Sequence, residues 1–148
     1  MRSPILAAAL ALALPATGQT VSDACDWRAS PVNIAEPWEA RSRSFANGAI
    51  RIALLDTEEP ACCAFHLLIL SPSGHEEGPG WRQCHIVTDT AQGLGFMSID
   101  FSAIAASYDP ARGLRLDVPF RRYSDDGIGH PGSLAVWINQ ASGAVVLE

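Results

Sequence analysis

Apolar and polar positions alternate with a period of two over short runs, and glycine, proline and asparagine separate the runs. That period marks half-buried β-strands, because successive side chains point to opposite faces of a sheet. Residues 41–46 and 49–56 flank Asn47-Gly48. This dipeptide supplies the two positive-φ positions of a tight hairpin turn. The turn sets Phe45 opposite Ile50 and Arg43 opposite Ile52. The second run then puts Ile50, Ile52 and Leu54 on one face and Arg51 on the other, and the more polar first run reads as a sheet edge.

Residues 61–70 (ACCAFHLLIL) are apolar on both faces, which predicts a central strand. They run through the loop 71–81 (SPSGHEEGPGW) into 82–89 (RQCHIVTD), so the pair reads as a buried hairpin centred near Glu76. Further on, 96–101 alternates with Met97, Ile99 and Phe101 inward. Residues 102–107 (SAIAAS) form the one helical fragment, with Asp100 or Ser102 as its cap. Residues 114–120 put Leu114, Leu116, Val118 and Phe120 inward, and Pro119 predicts an edge or a bulge, since it lacks a ladder donor. A second glycine-rich loop, 123–132 (YSDDGIGHPG), precedes a closing hairpin of 134–139 and 144–147. The expected fold is mainly β: an antiparallel β-sandwich or small barrel of seven to eight strands with one short helix.

At 148 residues, with no internal repeat, linker or low-complexity segment, the chain has room for one domain. Arg2, the apolar run 5–14, Pro15 and the small residues Ala16 and Gly18 read as a cleaved signal peptide over 1–18, leaving 19–148 as a single β-rich domain. Ten apolar residues are too few to span a bilayer, which takes roughly 20. The expected protein is therefore exported, periplasmic or secreted, with no membrane span. Beyond residue 18 there are sixteen acidic residues, nine arginines and no lysine, a formal charge of −7. Such a surface is a poor partner for nucleic acid or anionic lipid, and the lack of lysine excludes Schiff-base chemistry.

Four cysteines in an exported chain suggest disulfides. The hairpin reading sets Cys84 across from Leu68, with Cys62 and Cys63 roughly 15–20 Å further along at about 3.3 Å per residue. A disulfide requires Cα atoms within about 7 Å. The favoured bridge is thus Cys25–Cys84. Cys62 and Cys63 remain as a free or vicinal pair at a strand start, read as buried small hydrophobes or an oxidised pair in preference to a redox centre.

Candidate chemistry is thin. Cys62, Cys63, His66, Cys84 and His85 resemble a soft-metal set, but Cys62 and His66 lie about 13 Å apart along a strand, and His66 and His85 face opposite ways. They read as core or rim residues. The two glycine-rich loops carry His75, Glu76 and Trp81, and Asp125, Asp126 and His130. If the loops met, His75, Glu76, Asp126 and His130 would suit a divalent cation or acid–base pair. Trp81 reads as an exposed aromatic contact, and Trp27, Trp38 and Trp137 as packing. No nucleophile elbow, zincin helix, phosphate loop or dinucleotide fingerprint occurs. No cofactor is expected. The functional expectation is a non-enzymatic binding domain of the cell envelope, recognising a protein or envelope component through its loops. The alternatives are a metal-binding or metal-dependent hydrolytic domain using the loop residues, and a redox-active domain using Cys62-Cys63.

Overall fold

The computed structural model describes residues 20–74 and 81–148; the expected leader, and His75 and Glu76, lie outside them. Two antiparallel sheets, each of five strands, pack face to face as a sandwich. The first has the order β1 (Val21–Ala24), β5 (Arg82–Thr88), β4 (Phe65–Pro72), β3 (Ile50–Asp56), β2 (Ser42–Phe45). The second has β10 (Val145–Leu147), β9 (His130–Ile138), β8 (Gly113–Arg122) and β6 (Ser98–Ile99), and β7 (Ala105–Asp109) shares the β8 flank with β6.

Period-two alternation builds the core. Ile50, Ile52, Leu54, Leu67, Ile69 and Val87 of the first sheet meet Leu114, Leu116, Val118, Leu134, Val136 and Ile138 of the second. The doubly apolar strand β4 is central, as its pattern requires. Its second face, with Leu68, joins Ala53, Leu55 and Ile86 in a smaller cluster beneath Cys25, Ala29 and Ile34. The N-terminal segment therefore roofs the outer face of the first sheet. Ile34 forms a bridge with Leu55, and Ala35 N donates to Leu54 O (2.9 Å).

The Asn47-Gly48 hairpin pairs Phe45 with Ile50 and Arg43 with Ile52. The β4–β5 hairpin sets Cys84 opposite Leu70 rather than Leu68, a shift of two that keeps every side chain on its expected face. The segment before Cys25 is strand β1. Its pairing of Ala24 with His85 carries Cys25 directly across from Cys84, and the two are joined with Cα atoms 5.4 Å apart. Cys62 and Cys63 are bridged to each other.

The local expectations for 102–107, Met97, Trp27 and Trp38 are corrected. The fragment 102–107 is not one helix. A 3-10 turn, Phe101–Ala103, is capped by Asp100 accepting from Ala103 N, and the chain then enters β7. Pairing with β8 overrides the helical preference of the alanines there. Met97 points outward, because Phe96 takes the core position through its bridge to Phe65. Pro119 lies within β8 at the gap between its β7 and β6 partners, where its carbonyl accepts from Asp100 N (3.0 Å) and no N–H is required. Trp27 and Trp38 are exposed, whereas Trp137 is buried.

Candidate functional site

The loops divide between the two ends of the sandwich. The base of the first loop rests on the β9–β10 turn: a side chain at Gly74 would collide with Ser142, one at Gly143 would collide with Ser73, and Gln83 Nε2 donates to Gly143 O. That turn adjoins the start of β8, where Leu114 pairs with Ile138. The second loop leaves the far end of β8, ten residues on, roughly 30 Å away at about 3.3 Å per residue. The anchor points of the two loops, Gly74 and Trp81 against Asp125, Asp126 and His130, are therefore at opposite ends. This removes the premise on which a shared His75, Glu76, Asp126 and His130 site rested. Among the described residues no group of three or more His, Cys, Asp or Glu side chains is placed to hold a metal ion. Trp81 is exposed at the first loop's return.

The second loop is organised by Asp126. Its Oδ1 accepts from Ser124 Oγ and from Ile128 N (2.8 Å), and its Oδ2 lies 3.1 Å from His130 Nε2. Ser124, the Ile128 amide and His130 together hold the Asp126 carboxyl down at about 2. Serine, aspartate and histidine thus meet, but with the carboxylate between the other two. An acyl-transfer triad requires the imidazole between hydroxyl and carboxylate, so Ser124 has no base here. The cluster shapes a loop. Asp125 stays exposed beside it.

Around that loop, segments from both sheets interlock. Met97 N donates to Arg121 O (2.9 Å), and a side chain at Gly129 would strike Met97 Sδ (2.6 Å). Phe65 and Phe96 exchange backbone hydrogen bonds (3.3 and 2.8 Å). Arg122 Nε reaches buried Asp89 at 2.6 Å, and its other arm donates to Thr20 Oγ1 (2.8 Å). Burial raises the Asp89 carboxyl despite that partner. On this frame stand Leu94, Met97, Tyr123 and Ile128, all exposed, Ile128 to 65%.

His66 lies beneath the same end, 2% exposed, with Nδ1 lacking a hydrogen-bond partner among the described residues. Burial, and secondarily the Arg28 charge, lower its imidazole to about 4, with Asp26 opposing. Arg28 is itself buried, bonded to Asp26 (2.8 Å) and to Gly93 O (3.2 Å). His85 lies on the opposite face of its sheet, 3.3 Å from Ser22 Oγ, and burial lowers it too. His66 and His85 are thus core and rim groups that no metal set gathers.

A concave surface along Ala111, Arg112, Trp137 and Asn139 has its charges matched internally. Arg112 stacks 3.8 Å over Trp137 and pairs with Glu148, which also accepts from Trp137 Nε1 (3.0 Å).

Sequence reasoning missed Leu94, Met97 and Ile128. The readable signal was a lone large aliphatic residue inside each of two polar turns, Ile128 in YSDDGIGHPG and Leu94 in AQGLG. Comparison with family models, with curated proteins and with solved structures gives no match to this chain.

Proposed function

We propose that the protein is an exported, non-enzymatic recognition domain that binds a protein or envelope component through the end carrying Leu94, Met97, Tyr123 and Ile128. One observation carries this reading: those exposed apolar side chains come from two separate segments that interlock around Gly129. Exposed apolar residues scattered singly are ordinary, but several carried on segments that a fixed frame holds together mark an interaction surface. Preorganisation lowers the ordering cost of binding, and the Asp126 hydrogen bonds supply it. The carboxylates of Asp125 and Asp126, on the same loop as Ile128, favour a partner with an apolar anchor flanked by basic groups. Export is supported by the leader-like first eighteen residues and by two disulfides.

The test is retention from the envelope fraction of the exporting cell by immobilised protein. Wild type and Val146→Glu, a change on the distant strand β10, are expected to retain the same species. Met97→Glu combined with Ile128→Glu is expected to lose it. Retention that survives the double change, or no retention by wild type, overturns the reading.

A further inference from the structure

The connector between β3 and β4 closes on itself. Thr57 N and Thr57 Oγ1 both donate to Ala64 O, at 3.0 and 3.2 Å, so Glu58 to Cys63 form a small loop with a tied base. At its end sits the bridge between chain neighbours Cys62 and Cys63. The two cysteines differ in access: Cys62 is half-buried, and Cys63 is buried. They also differ in backbone. Cys63 has φ +79°, a left-handed conformation that a residue with a β-carbon holds only when its surroundings impose it. Those surroundings are plain: the Cys63 carbonyl abuts Gly95, where any side chain would strike it, together with Phe65 O (2.7 Å) and His66 Nε2 (2.9 Å). Neither Cys25 nor Cys84 has a positive φ, and they stay paired by their strand ladder and by Cys25 N donating to Cys84 O (3.2 Å).

The two bridges therefore respond differently to a thiol. Opening Cys62–Cys63 releases the covalent ring that helps hold Cys63 in its left-handed conformation. Opening Cys25–Cys84 leaves both thiols facing one another across a ladder, ready to close again. We propose that Cys62–Cys63 is a thiol–disulfide exchange site that accepts two electrons from a dithiol.

The step balances as follows. A thiolate of the dithiol attacks the Sγ of Cys62, the less buried of the two cysteines. A bond forms between the two sulfurs, the Cys62–Cys63 bond breaks, and its electron pair leaves on Cys63 Sγ, which takes a proton from water. The second thiol of the donor then attacks its own sulfur in the mixed disulfide and expels Cys62 as a thiolate, which is protonated in turn. The products are two protein thiols and the oxidised cyclic donor.

The experiment is graded reduction of the native full chain, first with dithiothreitol as a small dithiol and then with reduced thioredoxin as a protein dithiol. Alkylation and peptide mass mapping follow, with circular dichroism to confirm that the fold persists. Cys62 and Cys63 are expected to take up two alkyl groups at dithiothreitol concentrations about tenfold below those that open Cys25–Cys84. Matching reduction by thioredoxin assigns the site to protein dithiols as well; its absence restricts the site to small ones. Two single variants test the direction of attack. The thiol left in Cys63→Ser is expected to alkylate roughly tenfold faster than the one left in Cys62→Ser. Simultaneous opening of both bridges, opening of Cys25–Cys84 first, reduction only on unfolding, or a reversed order of alkylation overturns the proposal.

Discussion

His66 is where burial and acidity are most tightly coupled. Its imidazole is 2% exposed, its Nδ1 has no partner among the described residues, and burial lowers it to about 4 from an ordinary value near 6.5. A histidine depressed on folding binds its proton more readily in the unfolded chain. Stability is therefore intact above about pH 6.5 and falls as the pH drops toward 4. The loss is on the order of 3 kcal/mol, and Arg28 and Asp26 modulate it. Replacing His66 with Leu is expected to flatten that part of the stability–pH curve, read as urea midpoints at pH 7 and pH 4.5. If wild type and variant lose stability in parallel, His66 is not the group responsible. A second residue-scale outcome follows from Gly95, where an added Cβ meets two carbonyl oxygens and the His66 ring, of which only the ring can yield. Gly95→Ala is expected to cost about 3 kcal/mol in a denaturation midpoint, as overpacking against backbone does.

At the scale of elements, the ends of β5 and β8 are clamped across the two sheets by Asp89 and Arg122. Asp89 is almost fully buried, and its carboxyl is raised by that burial even with Arg122 beside it. Its folded value lies above its unfolded one, so protonation favours the native state as the pH falls, and that contribution is lost as the pH rises. Arg122→Ala leaves the carboxylate buried and unpaired. The expected cost at pH 7 is about 2 kcal/mol, below the usual figure for a buried pair because the arginine is partly solvated. At pH 4.5 the deficit is expected to shrink as Asp89 takes up a proton; a deficit independent of pH assigns the loss to packing instead. The strands that make this clamp possible were legible in the chain. Alternation marked Leu114 to Phe120, the doubly apolar run placed β4 at the centre, and Asn47-Gly48 fixed a register. What stayed illegible was decided by partners distant in sequence. β8 converts the alanines at 105 and 106 into strand, Phe65 draws Phe96 inward and turns Met97 out, and a change of neighbour accommodates Pro119 inside a paired strand.

For the molecule as a whole, the order of strands decides which loops share an end. Nothing in the spacing of His75 and His130 encodes that order, so the separation of their loops emerges only from the packed sheets. The same topology gives the first sheet two buried faces, one against the second sheet and one beneath the N-terminal segment. The roof is held by strand β1, by the Ile34–Leu55 bridge and by Cys25–Cys84, which joins residues 59 apart. Closing a loop of that size stabilises by about 4 kcal/mol in the chain-entropy model. Cys25→Ser with Cys84→Ser is expected to lose roughly that amount, and to lose it unevenly. Leu55, Leu68 and Ile86 lie under the roof, whereas Leu116 and Val136 lie between the sheets. In the double variant the amides of the first group are expected to exchange with solvent well before those of the second, through opening of the roof alone. Equal loss of protection in both groups would show that the roof and the sandwich melt as one unit, and that Cys25–Cys84 stabilises the fold globally rather than fastening one layer of it.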